Sequence, residues 1–169
     1  QSAFKWYRQA AEQGDVNGQS GLGYLYDEGL GVPQDYQLAA KWYHQAAKQG
    51  DVDGQSNLGY LYAEGLGVSK DYQQAFKWYR QAAEQGDVDG QSGLGYLYSE
   101  GLGISQDYQS AFKWYRQAAE QGDVNGQSGL GYLYIEGLGV PQDYQLAAKW
   151  YHQAAKQGDV DGQSALGYL

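Results

Sequence analysis

The sequence predicts an all-α solenoid of paired helices, and three observations carry that expectation. Trp6, Trp42, Trp78, Trp114 and Trp150 are spaced by 36 residues. Asp15, Asp51, Asp87, Asp123 and Asp159 keep the same step, as do Tyr24, Tyr60, Tyr96, Tyr132 and Tyr168. A fixed period of this size marks a stacked repeat array. Within each period, apolar residues fall at helical spacing in two separate stretches. Glycine and aspartate punctuate the boundaries between them.

Residues 51–86 show the elements in order. The segment DVDGQSNLGYLYAEG opens this period, and close variants of it open the others. Asp51, Asp53 and the glycine after them resemble the start of a calcium loop. The spacing argues otherwise: glycine falls at position 4 instead of 6, and position 12 is Tyr62. The same residues suit a helix start, with Asp51 as N-cap and Asp53 at the positive end of the helix dipole. Gly54, Leu58, Leu61 and Tyr62 then trace one helical face, the core side of a helix A. The glycine-rich turn GLGVSKD follows, and its Asp71 is placed to cap the next helix. In helix B, Tyr72, Ala75, Tyr79, Ala82 and Ala83 trace one face. Gly86 then supplies a left-handed helix end. Connections this short imply antiparallel neighbours.

The chain holds four full periods and a partial fifth, read as one array over residues 1–169. It opens inside one element and closes inside another, so the expectation is a fragment truncated at both ends. Residues 1–61 match 109–169 except at Asp27 against Ile135 and Asn57 against Ala165. That offset is three periods, which points to duplication in blocks of three.

The pattern Leu58-Gly59-x-x-Tyr62, Gly65-x-Gly67-Val68, Asp71-Tyr72, Ala75-x-x-Trp78-Tyr79-x-x-Ala82-Ala83-x-x-Gly86 resembles the Sel-1-like repeat, a relative of the tetratricopeptide repeat. The resemblance covers the whole chain. It implies a right-handed superhelix of helix pairs and an adaptor that assembles protein complexes, often from a concave face lined by A helices. It favours a bacterial periplasmic or secreted setting without fixing the compartment. Gly18, Gly54, Gly90 and Gly126 depart from it, since the family often has alanine there. Each interior glycine costs ~1 kcal/mol against alanine. Gly23, Gly59, Gly95 and Gly131 match the family glycine that lets helices approach closely.

Composition narrows the chemistry. The net charge is -9, from 11 basic and 20 acidic residues spread through every period. This disfavours nucleic acid and favours cationic or neutral partners. No apolar run approaches the ~20 residues of a membrane span. There is no cysteine, and the glycine string GQSGLGYLY lacks the order and the Lys-Ser/Thr of a phosphate loop. His44 and His152 are equivalent positions three periods apart and form no common site. They read as solvated basic positions on helix B, where other repeats carry Arg8, Arg80 and Arg116. No catalytic residue, metal ligand or cofactor is expected.

Two surfaces are candidates for binding. On helix B, Phe4, Arg8 and Glu12 recur as Phe76, Arg80, Glu84 and as Phe112, Arg116, Glu120, a stripe at i, i+4 and i+8. It reads either as outer-surface variation with a weak ion pair or as a contact stripe for a partner. On helix A, a second face carries Asp53, Asn57, Tyr60 and Glu64. Its equivalents are Asn17, Gly21, Tyr24, Glu28; Asp89, Gly93, Tyr96, Glu100; and Asn125, Gly129, Tyr132, Glu136. It reads either as a solvated tyrosine row or as a binding face built of Tyr24, Glu28, Asp53, Asn57, Tyr60, Glu64, Tyr96, Glu100, Tyr132 and Glu136. The tryptophans, together with Tyr26, Tyr62, Tyr98 and Tyr134, read as inter-helix packing.

Two function classes follow. The first is a non-catalytic scaffold that binds a protein or peptide, a basic one by charge, on the A-helix face. The alternative is a structural array that self-associates into a filament or surface assembly, as near-identical repeats permit when a contact does not close.

Overall fold

The computed structural model describes residues 2–169. Ten α-helices follow one another: α1 (Ser2–Glu12), α2 (Val16–Glu28), α3 (Tyr36–Lys48), α4 (Val52–Glu64), α5 (Tyr72–Glu84), α6 (Val88–Glu100), α7 (Tyr108–Glu120), α8 (Val124–Glu136), α9 (Tyr144–Lys156) and α10 (Val160–Leu166). Odd-numbered helices are the B type and even-numbered ones the A type. Among the described residues there is no strand, and no helix is long and apolar enough to cross a membrane. The chain divides into two compact units, one reaching to Gly90 and the other running Gln91–Leu169.

The aspartates act as caps. Asp15, Asp51, Asp123 and Asp159 accept hydrogen bonds from the backbone N–H of Gly18, Gly54, Gly126 and Gly162. Asp87 accepts from the Gly90 N–H at 2.7 Å. Asp35, Asp71, Asp107 and Asp143 cap the B helices in the same way. An N-cap of this kind stabilises by ~1 kcal/mol.

The B-to-A connection needs only three residues because one motif ends a helix and starts the next. After α3, Gly50 has φ +93 and its N–H donates to the Ala47 carbonyl, while the Asp51 N–H donates to the Ala46 carbonyl. These two bonds form a Schellman motif, and they orient Asp51 to cap α4.

In the first unit each helix packs on its chain neighbours from α1 to α5. Ala39, Ala40, Tyr43, Leu58, Leu61 and Trp78 form a buried cluster, with Tyr26, Tyr62 and Val68 packed against it. In the second unit Ala111, Tyr115, Ala119, Leu130 and Leu133 do the same, flanked by Tyr98, Phe112 and Trp150. The Ala face of each B helix is therefore the core face, as its periodicity predicts.

Glycines account for the tight fit of A against B. A Cβ on Gly23, Gly59, Gly95 or Gly131 would lie 2.5–2.8 Å from the ring of Tyr43, Tyr79, Tyr115 or Tyr151. Gly18, Gly54, Gly90 and Gly126, which depart from the family pattern, rest on the last turn of the preceding B helix. A Cβ on Gly126 would sit 2.7 Å from the Ala119 amide nitrogen. Close helix approach is bought here with helix propensity.

Two expectations need correction. Trp78 is only 4% exposed, but Trp6 is 65% exposed. Trp78 reaches back onto the preceding B helix α3, and α1 has no preceding B helix among the described residues. His44 is not a solvated position. It is half-buried with its ring edge-on to Trp78 at 5.8 Å, and burial lowers its pKa, with Lys48 and Lys77 adding to the effect. His152 is exposed.

Candidate functional site: the A-helix face

The helix-B stripe resolves into packing. Phe4 meets Tyr26 edge-on at 5.7 Å, and Phe112 meets Tyr134 at 5.6 Å. Arg8–Glu12, Arg80–Glu84 and Arg116–Glu120 are ion pairs at 2.8 Å with both side chains largely exposed. Pairs of this kind are worth only a few tenths of a kcal/mol. Phe4 and Phe112, both half-buried, set their rings against the adjoining A helix.

The A-helix face differs. Tyr24, Tyr60, Tyr96 and Tyr132 are 44–51% exposed. Glu28, Asp53, Glu64, Glu100 and Glu136 are exposed, and Asn57 is half-buried. These tyrosines lie off the stripe that places Leu58 and Leu61 in the core, so helical geometry turns their rings outward. All 11 Lys and Arg residues lie on B helices or, for Lys70, in a turn. The A helices carry carboxylates and no base, so the molecule's charge is segregated by helix type.

In the first unit the structure brings Tyr24, Asp53 and Asn57 together around a hollow of about 350 Å³. Asn17, Gly21 and Ser20 of α2 complete one side. Tyr7, Tyr43 and Asp51 close it from the B side and from the head of α4. Gly21 lets α2 lie directly against Tyr7, since a Cβ there would fall 2.7 Å from Tyr7 Cε1. Glu28, Tyr60 and Glu64 are not part of this lining. Tyr7, Ser20, Tyr43 and Asp51 are the lining residues that sequence reasoning left out. Tyr7 and Tyr43 recur on the Ala face of helix B, so periodicity assigns them to the core. Nothing in a single repeat shows that their ring edges also border a hollow.

The buried tyrosines of the B helices are held neutral. Burial raises the pKa of Tyr43, Tyr79 and Tyr115, and pushes that of Tyr151 up to about 12. Tyr43 is the most enclosed, 1% exposed against 7–8% for the other three. Its hydroxyl donates to Asp27 Oδ2 at 3.1 Å. Burial in turn raises the Asp27 pKa, partly offset by the Tyr43 hydrogen bond.

No cluster of three or more His, Cys, Asp or Glu side chains capable of holding a metal occurs among the described residues. The Asp-x-Asp/Asn-Gly segments spend their first carboxylate on the helix cap.

Paired helices joined by glycine-aspartate turns, with tyrosines and carboxylates on α2, α4, α6 and α8, define a helical repeat protein of the solenoid class. The Sel1 repeat model matches residues 1–15, 16–51, 52–87, 88–123 and 124–159, and the chain belongs to the Sel1 repeat family. A protective antigen of uropathogenic Escherichia coli strains, with an SLR fold, is 47% identical at a TM-score of 0.88. That likeness covers 96% of this chain and 35% of the antigen. A Sel1 repeat protein from Oxalobacter formigenes is 42% identical at a TM-score of 0.83, over 91% of this chain and 61% of that protein. The Helicobacter pylori cysteine rich protein B is 25% identical at a TM-score of 0.60, over 79% of this chain and 96% of that one. The chain thus spans only part of the first two proteins. No match was found among the curated proteins. Sel1 repeat proteins are in general interaction scaffolds without catalytic activity, and these similar proteins are bacterial.

Proposed function

We propose that this chain is a non-catalytic scaffold whose A-helix face docks a basic polypeptide. One observation carries the reading: half-exposed tyrosines recur on the A helices beside carboxylates, and no A helix bears a Lys or Arg. Tyrosine offers a broad amphipathic surface at low entropic cost, and its ring face attracts Lys and Arg. Carboxylates alongside steer a cationic partner and select against an acidic one. Glu28, Glu64, Glu100 and Glu136 supply that charge one turn beyond Tyr24, Tyr60, Tyr96 and Tyr132.

The test is titration of the chain with an extended Lys/Arg-rich peptide. Binding should weaken with salt, since exposed charges are screened over ~8 Å at physiological ionic strength. Tyr60→Ala with Tyr96→Ala should leave the helical circular dichroism unchanged and reduce affinity at least about tenfold, or ~1.4 kcal/mol. Full affinity in that double variant, with loss on changing Phe76 and Arg80, would move the working surface to the B helices.

A further inference from the structure

We infer that the hollow between α2 and α4 is a subsite for one arginine side chain of the docked polypeptide. The inference rests on the reading of the A-helix face as a cation-recognising surface, and it assigns a position and a chemical preference within that face.

Three features of the hollow select a guanidinium. Its exposed aromatics, Tyr7 and Tyr24, offer ring surface to a flat delocalised cation, which stacks on aromatics where a compact ammonium does not, while Tyr43 contributes only a ring edge. Its acceptors are spread around the wall. The side chains of Asn17, Asn57 and Asp53 have no hydrogen-bond or ion-pair partner among the described residues, and all three border the space. A guanidinium presents five N–H donors in a plane, so it can meet several separated oxygens at once, whereas an ammonium has three on one atom. No lining residue is basic, and Asp53 supplies a carboxylate that does not serve as a helix cap. The volume of about 350 Å³ sits at the small end of ligand pockets, suited to one long side chain.

On the α2 side Gly21 lies directly against the Tyr7 ring, where a Cβ would fall 2.7 Å from Cε1. The same residue set recurs in the sequence as Tyr115, Asn125, Ser128, Gly129, Tyr132 and Tyr151, with Asp159 and Asp161. Only Asn57 is replaced, by Ala165. Asn57→Ala therefore converts the first set into the second.

The experiment uses the whole chain and three probes: acetyl-Gly-Arg-Gly-amide, its lysine analogue and its uncharged citrulline analogue, each followed by NMR titration. The arginine peptide should shift the Asn17 and Asn57 side-chain amides and the Tyr24 ring. It should bind at least about threefold more tightly than the lysine peptide, and the citrulline peptide should give no saturable shift. Asp53→Asn should weaken the arginine peptide at least about fivefold, and Asn57→Ala about twofold. Shifts centred elsewhere, equal binding of citrulline and arginine, or an unchanged affinity in Asp53→Asn would overturn the subsite. Equal binding of lysine and arginine would overturn the guanidinium assignment. If Tyr60→Ala with Tyr96→Ala weakens the long basic peptide while Asp53→Asn leaves the arginine peptide unaffected, the docking face stands and this inference alone fails. If neither peptide binds, both fail.

Discussion

Gln85 Nε2 donates a 2.7 Å hydrogen bond to Oε1 of Gln55, a side chain only 3% exposed on the neighbouring A helix. The pairing repeats at a separation of 30 residues: Gln49 to Gln19 at 2.8 Å, Gln121 to Gln91 at 2.7 Å and Gln157 to Gln127 at 3.0 Å. Each bond ties the end of a B helix to the start of the A helix before it. Gln55 Nε2 also donates to the Ala47 carbonyl, so both ends of this buried amide are satisfied.

A double-mutant cycle reads this clasp directly. Gln85→Ala leaves the Gln55 acceptor buried and unpaired, which costs ~1–3 kcal/mol. Gln55→Leu removes the polar group as well and should cost less when Gln85 is already absent. Urea denaturation of the four proteins should show coupling of about 1 kcal/mol. Additivity within about 0.5 kcal/mol would mean that water serves Gln55 equally well.

Trp78 tests where the core lies. Trp78→Ala should cost ~3–5 kcal/mol, the range for a buried aromatic, while Trp6→Ala should stay within about 0.5 kcal/mol. The Trp78 indole N–H is buried without a hydrogen-bond partner among the described residues. Trp78→Phe removes that donor along with ring area, so its cost should fall to about 1–2 kcal/mol. A cost under about 1 kcal/mol for Trp78→Ala would place this ring on a binding surface instead.

Gly59→Ala sets helix propensity against packing. Alanine gains ~1 kcal/mol in a helix. Its Cβ would lie 2.8 Å from Tyr79 Cδ1, so the ring or the helix must move. Overpacking of this kind costs ~1–3 kcal/mol. The variant should be less stable by thermal melting, and adding Tyr79→Leu should recover most of the loss. If Gly59→Ala raises the melting temperature, the close approach of α4 and α5 is not under steric constraint.

Asp27 gives the stability a pH dependence of defined sign. Its folded-state pKa lies above the ordinary value because burial penalises the carboxylate, with the Tyr43 hydrogen bond opposing and Glu28 adding to the rise. The folded protein then binds this proton more readily than the unfolded chain. The penalty is fully present above the raised pKa and is lost as pH falls through it. Asp27→Asn should therefore raise the melting temperature at pH 7, and the gain should shrink as the pH falls towards the ordinary carboxylate range. A gain that does not change with pH would mean that Asp27 is as well solvated folded as unfolded.

The sequence by itself determined the period, the helix pairs, the aspartate caps and the core stripes. These are local or repeating properties: a helix places Leu58 and Leu61 on one side and Tyr60 on another whatever it packs against. The half-exposed row at Tyr24, Tyr60, Tyr96 and Tyr132 was legible for that reason. Tertiary structure decided what depends on a neighbour one helix or one repeat away. It turned Phe4 and Phe112 onto Tyr26 and Tyr134, set His44 against Trp78, and gave Gly18 and its equivalents a place against the preceding helix. It also formed the hollow where Tyr7, Tyr24, Asp53 and Asn57 meet, because its walls come from four helices and no single repeat contains them.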